Sequence, residues 1–223
     1  MNILDILKSH NITTVFFDYD NTLVFSRDAY VETYQKIFKE IGIIVEAQRI
    51  IELFGKPAFQ IIKTIVGSSA TDELVRKLIL RREKILLNEK IEKIKLVNGA
   101  KEILELLKRE GYTIGIVSSS TKKILDAFSR HLEISQFFDY IISADDVKIG
   151  KPDPEPFKIA LRKANKKPKE CIAIGDTVYD IKSAKDAGIL TIGIAWDDET
   201  YQKMKKVGAD YIVQSLKELL PCH

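Results

Sequence analysis

The sequence predicts an α/β protein, a doubly wound parallel sheet interrupted by one inserted, all-helical stretch. Three observations predict it. Short β-branched runs recur at residues 13–17, 112–117, 140–143, 171–174, 189–195 and 211–213. Most are nearly continuous in apolar residues, the pattern of strands buried on both faces of a parallel sheet. Helix-period segments alternate with them, as in βαβ units.

Taken in order, the run 13–17 is the first strand. From about 25 to 95 the alternation stops, and no strand is expected there. Three or four helices are predicted instead. The first covers 27–41, with Ser26 as cap and Gly42 as stop. Two more cover 47–54 and 58–66, separated by Gly55-Lys56-Pro57. A long one covers 72–91, with Thr71 as cap and Asp72-Glu73 at the positive end of its dipole. So much helix between the first two strands reads as an inserted domain. The chain then divides into an α/β core over 1–24 and 96–223 and a helical domain over 25–95. The Lys- and Glu-rich patch 81–95 reads as a solvated helix face. Alternation resumes with helix 99–109, whose Ile103, Leu104, Leu106 and Leu107 make an apolar face. Helices 121–132, 154–164 and 178–187 follow, the last closed by Gly188, the residue type common just past a helix end.

Composition narrows the function classes. Thirty-five basic residues against 32 acidic ones leave a net charge of +3 and a pI near 8.6. That excess suits an anionic small molecule; it is too small and dispersed for a nucleic-acid protein, where a pI above about 9 and clustered cations are expected. The longest stretch without a charged residue runs only from Gly111 to Thr121, short of the ~20 apolar residues of a membrane span. The first eight residues include Asp5 and lack a basic leader, so a signal peptide is not expected and a cytoplasmic setting is. Cys171 and Cys222 cannot build a disulfide framework and have no neighbours at zinc-ligand spacing.

Four polar clusters follow predicted strands. The first strand runs into Asp18-Tyr19-Asp20-Asn21-Thr22 and the second into Ser118-Ser119-Ser120, at the opening of a helix where an anion is favoured. Gly150-Lys151-Pro152-Asp153-Pro154 presents one lysine in a turn, and a later strand ends in Gly175-Asp176-Thr177-Val178-Tyr179-Asp180. In an open α/β sheet these ends converge on one crevice. Clustered carboxylates bind a hard divalent cation, usually Mg²⁺, and a lysine beside a hydroxyl holds phosphate oxygens. The chemistry suggested is phosphoryl transfer.

At these clusters the sequence resembles the haloacid dehalogenase superfamily, whose pattern is Asp-x-Asp-x-Thr, then Ser or Thr, then Lys, then Gly-Asp-x-x-x-Asp. The helical insertion lies where one subclass carries a cap, and the layout is similar to that of phosphoglycolate phosphatase-like members. The resemblance implies Asp18 as nucleophile and Asp20 as general acid, then base. It implies Ser118 and the Ser119 amide as phosphate donors, and Lys151 as the charge that lets Asp18 approach a dianion. It implies Mg²⁺ on Asp18, the Asp20 carbonyl and Asp176, with Thr22 and Asp180 in support, Asp180 through water or Lys151. Asn21 replaces the family's common Gly and is a residue type that tolerates positive φ.

The expected ligand is a small phosphorylated metabolite, without nucleic acid or membrane, and the expected assembly is a monomer or homodimer. Asp20 favours phosphate esters over haloacids, because an alkoxide leaving group needs an acid. A phosphosugar mutase of the superfamily would add a cap acid–base pair, commonly with His, and 25–95 contains none. A phosphonatase would need a cap lysine such as Lys56 or Lys36 for a Schiff base. A non-catalytic phospho-ligand binder would usually have lost Asp18 or Asp20, and a receiver domain would lack the insertion. Lys56, in the loop resembling the family's specificity loop, is a candidate for a substrate anion, with Arg49 nearby. His10, His131 and His223 receive no role, Cys171 reads as core, and Trp196 with Asp197-Asp198 reads as loop and helix start.

Overall fold

In the computed structural model, which describes residues 2–221, β1 (Thr14–Phe17) is a central strand of a six-stranded, all-parallel sheet. Cys222 and His223 lie outside the described residues. The other five strands are β4 (Thr113–Val117), β5 (Tyr140–Ile142), β6 (Cys171–Gly175), β7 (Leu190–Ile194) and β8 (Tyr211–Val213), and the spatial order is β5-β4-β1-β6-β7-β8. The chain builds outward on one side of β1 and then returns to build on the other, which makes the carboxyl end of β1 the switch point where such sheets bind ligands. Phe17 pairs with Ile116 on one side and Ile174 on the other, so β1, β4 and β6 release their next residues side by side. All four residues of β1 are buried, as strands covered on both faces must be.

Six helices accompany this sheet. They are α1 (Ile3–Ser9), α6 (Ala100–Arg109), α7 (Lys122–His131), α8 (Glu155–Ala164), α9 (Val178–Asp186) and α10 (Asp198–Lys206). Helix α6 buries Ile103, Leu104, Leu106 and Leu107, the apolar face its periodicity predicts. Helix α1, which the sequence reading did not predict, buries Ile3, Ile6 and Leu7. No helix among the described residues is long and apolar enough to cross a membrane.

The insertion contains α2 (Arg27–Lys39), α3 (Ala47–Ile51), α4 (Ala58–Val66) and α5 (Asp72–Ile85). Three expectations are corrected here. Val24–Phe25 and Lys95–Leu96 form β2 and β3, a two-stranded antiparallel ribbon at the neck of the insertion; at two residues each, they carry no period to read. The helix predicted over 72–91 is α-helical only to Ile85 and continues as a π-helical turn over Leu86–Lys90 and a 3₁₀ turn over Ile91–Lys93. The first and second predicted helices are also shorter than 27–41 and 47–54. Thr71 does cap α5, accepting from Leu74 N at 3.2 Å.

Ser26 is not the side-chain cap of α2. Asn21 Oδ1 accepts from the Arg27 and Ser26 amides at 3.0 and 3.4 Å, and the Ser26 hydroxyl is free for another partner. Asn21 stands at φ 60°, the conformation its residue type was expected to tolerate. The patch 81–95 is not uniformly solvated either, for Arg82, Glu83, Ile85, Leu86 and Ile94 are buried.

Candidate active site

The cleft opens where β1, β4 and β6 end. Asp18 follows β1 directly, Ser118 follows β4, and Asp176 follows β6. Lys151 reaches in from the turn before α8. Its ammonium is 1% exposed and has three acceptors: Asp18 Oδ1 at 2.8 Å, Asp180 Oδ1 at 2.5 Å and the Val117 carbonyl at 2.6 Å. Three donors meet three acceptors, so the lysine is fixed. Asp180 is itself held, its Oδ2 accepting from the Thr177 amide and hydroxyl at 3.0 and 2.6 Å in a capping box that starts α9.

Asp18, Asp176 and Asp180 bring carboxylate oxygens within 4.8 Å of one another, all buried. Thr22 Oγ1 lies between two of them, 3.1 Å from Asp176 Oδ1 and 3.4 Å from Asp18 Oδ2. Burial pushes the Asp18 carboxyl up to about 7, against the opposing pull of Lys151. Burial, then the charges of Asp18 and Asp180, hold Asp176 well above the usual carboxylate range. Burial alone would pull the Lys151 ammonium down, but Asp18 and Asp180 outweigh it and raise it. When all three ionise, three carboxylates share one ammonium, an excess of two negative charges that the raised Asp18 and Asp176 resist until a cation balances it. Asp176 makes no ion pair within 4.0 Å among the described residues. An all-oxygen, doubly negative, buried set fits a hard divalent cation.

Asp20 is handled differently. Its Oδ1 accepts from Ser26 Oγ at 2.7 Å and its Oδ2 from Ser120 Oγ at 2.6 Å, and Tyr30 Oη lies 3.0 Å from Ser120 Oγ. Hydroxyls can turn from donor to acceptor, so this chain can hold Asp20 with or without a proton. Ser118 Oγ accepts from the Ser120 amide at 3.1 Å, which leaves its own proton for the cleft it lines. The Ser119 hydroxyl instead donates to the Gly55 carbonyl at 2.7 Å and tethers the insertion's loop to the core.

That loop is close. At Gly55, φ is +93° and a Cβ would fall 2.8 Å from Thr177 Oγ1 and Tyr179 Cδ2; at Gly150 a Cβ would fall 2.3 Å from Pro57 Cγ. Only glycine permits either approach. Lys56 sits 5.4 Å over the Tyr179 ring and lines the cleft. The remaining lining on the insertion side includes Tyr30, Tyr34, Phe54, Ile61 and Arg82, and the cavity measures about 50 Å³.

The sequence matches the haloacid dehalogenase-like hydrolases over residues 15–194. The chain belongs to that family. It is 28% identical over 216 residues to pyrophosphatase PpaX of Bacillus velezensis, covering 96% of this chain and 97% of that one. It is 30% identical over 217 residues to pyrophosphatase PpaX of Listeria monocytogenes, covering 94% and 95%. The crystal structure of a β-phosphoglucomutase from Clostridium difficile superposes with a TM-score of 0.83 at 24% identity, covering 93% of each chain. That likeness speaks to fold alone.

In this haloacid dehalogenase-like hydrolase the structure brings Asp18, Asp20, Ser118, Ser119, Lys56 and Asp176 to one cleft, with Lys151, Asp180 and Thr22 bonded beneath it. Arg49 pairs with Glu52 at 3.3 Å on the surface, and Lys36 pairs with Glu89 at 2.6 Å. Neither lines the cleft. Trp196 Nε1 donates to the Asn21 carbonyl at 3.2 Å and its ring meets Phe25 outside the cleft. Cys171 is buried, and burial pushes its thiol up to about 12, out of nucleophilic range.

Sequence reasoning missed Tyr30, Tyr34 and Arg82, read Ser26 as a cap, and named Ser120 in its cluster without placing it on Asp20. Arg82 left a signal. Val75, Leu78, Arg82 and Ile85 share the buried stripe of α5, and a charge on an apolar stripe demands a reason.

Proposed function

We propose that this hydrolase is a Mg²⁺-dependent phosphatase that works through an aspartyl phosphate on Asp18. The observation that carries the reading is the buried Asp18–Lys151–Asp180–Asp176 cluster, which when ionised is two positive charges short of balance, beside an Asp20 supported by hydroxyls that can reverse. Asp18, Asp176 and the Asp20 carbonyl would hold Mg²⁺, which when bound shields charge and aligns the phosphoryl group.

An Asp18 carboxylate oxygen attacks phosphorus, and the bond from phosphorus to the leaving oxygen breaks. Lys151, lying against Asp18, lowers the repulsion between carboxylate and dianion. Asp20 hands its proton to the leaving oxygen, while Ser118 Oγ and the Ser119 amide bind the remaining phosphoryl oxygens. Asp20 then takes a proton from water, which attacks the aspartyl phosphate. Inorganic phosphate leaves and Asp18 is restored. The net reaction consumes one water and yields an alcohol, or a second phosphate, with inorganic phosphate.

In this reading 1–24 and 96–223 are the catalytic core and 25–95 is a cap that shuts water out during the first transfer. The names of the relatives make pyrophosphate the first substrate to try. No histidine lines the cleft among the described residues, which removes the residue type a mutase commonly uses in its acid–base pair. The test is phosphate release from a panel of phosphorylated metabolites with Mg²⁺, with EDTA, and with Asp18→Asn. Release that requires both the metal and Asp18 supports the proposal; release from no compound refutes it.

A further inference from the structure

Only three buried side-chain nitrogen or oxygen atoms among the described residues lack a hydrogen-bond partner, and two of them, Nε and Nη1, belong to Arg82. A guanidinium is always charged, and a buried one with idle N–H groups is strongly disfavoured unless something else satisfies it. Arg82 is 4% exposed and lines the same cleft as Asp18 and Ser118. Its carbon centre lies 4.6 Å from the Tyr30 ring centre and 5.1 Å from that of Tyr34. Two aromatic rings lie against it and leave Nε and Nη1 without an acceptor. The neighbouring Glu83 is also held, accepting from Thr121 Oγ1 at 2.6 Å, so α5 is anchored to the core beside Arg82. Glu83 offers Arg82 no hydrogen bond, and neither does Asp20.

From this geometry we infer that Arg82 is a specificity residue that binds a second anionic group on the substrate, carried by the leaving half of the molecule. The inference rests on the proposed phosphatase reading and adds the substrate class. Asp18, Ser118 and Lys151 attend one phosphoryl group on the core side. Arg82 lines the same cleft from the insertion side with idle N–H donors of the kind that suit a carboxylate or a second phosphoryl group. A cavity of about 50 Å³ selects compact molecules, with the two anionic groups separated by an atom or a few.

Binding of non-hydrolysable probes by calorimetry, with Mg²⁺ present, tests this without any turnover. The probes are methylphosphonate, with one anionic group, methylenediphosphonate, with two phosphoryl groups, and phosphonoacetate, with a carboxylate as the second. The native protein is expected to bind at least one of the two-anion probes roughly 10- to 100-fold more tightly than methylphosphonate. Which one wins distinguishes a phosphoryl from a carboxylate partner. Arg82→Met should collapse that ratio to near one, and Arg82→Lys should restore part of it. A purely structural role would weaken all probes together and leave the ratio unchanged. Native protein that binds all three equally overturns the inference, whether or not the variants fold. So does a ratio that survives in Arg82→Met. If no phosphate compound is hydrolysed but the ratio behaves as stated, the phosphatase reading fails and the anion subsite stands.

Discussion

Two buried cations serve the same cleft, Lys151 bonded beneath it on the sheet side and Arg82 lining it from the helical insertion, and their surroundings differ. Lys151 has an acceptor for each of its three donors, while two nitrogens of Arg82 have none. The difference separates parts of a site that are complete in themselves from parts completed by a ligand. Lys151 belongs to fixed machinery: its removal would leave carboxylates crowded without a counter-charge. Arg82 is held in place by aromatic faces that do nothing for its N–H groups, so its removal takes little from the empty protein.

The largest effect expected concerns the group that Lys151 serves. Asp18→Asn should lower phosphate release by ~10⁴-fold or more, as loss of a covalent nucleophile does, with the variant still folded. Next come the two cations compared directly by urea denaturation. Lys151→Met should destabilise the fold by about 3–5 kcal/mol, the range for breaking a buried ion pair from one side. Arg82→Met should change it by no more than about 1 kcal/mol, since lost cation–π contact is offset by relief of an unsatisfied buried charge. Equal losses would erase the distinction between them.

The excess charge around Lys151 also sets a pH dependence. Burial raises Asp18 from 3.8 to about 7, and Asp176 shifts the same way, so the folded protein holds these protons more tightly than the unfolded chain. Their contribution is present in full below the ordinary carboxylate range and is lost as pH climbs towards and through about 7. Metal-free protein should therefore lose melting temperature between pH 4 and pH 7 for this reason. Mg²⁺ should restore most above pH 7 and least near pH 4, and Asp18→Asn should flatten the profile. A smaller effect belongs to the seam between the two regions. Gly55→Ala places a Cβ against Thr177 and Tyr179 at a positive φ and should weaken substrate binding by several-fold, read as a raised KM, with a melting temperature lowered by a few degrees.

The sheet side was legible in the sequence and the insertion side was not, for a physical reason. Strands buried on both faces are apolar throughout, and each polar motif sits at a strand end, so Asp18, Ser118 and Asp176 could be assigned to one crevice from chain order alone. Lys151 was legible as a lone lysine in a proline-rich turn. The helices of the insertion show only which face is apolar, and their ends blur by a turn. The π-helical turn at Leu86–Lys90 and the two-residue ribbon at Val24 and Lys95 leave no pattern to read. Ser26 looked like a cap because it stands where a cap stands; Asn21, five residues earlier and at positive φ, accepts instead from the Ser26 and Arg27 amides. Arg82 was hidden in a run of charges. Its position on the stripe of Val75, Leu78 and Ile85 sets it apart from Arg81, which pairs with Glu40 at the surface.

In the proposed mechanism phosphorus passes to Asp18 before it reaches water. The most direct test is to mix the protein with Mg²⁺ and excess pyrophosphate, quench in acid within one turnover, and map the protein by mass spectrometry. A peptide containing Asp18 that is heavier by one phosphoryl group is expected, absent with EDTA and absent in Asp18→Asn. Phosphate released in the same samples, with Asp18 never modified at any quench time, would contradict it.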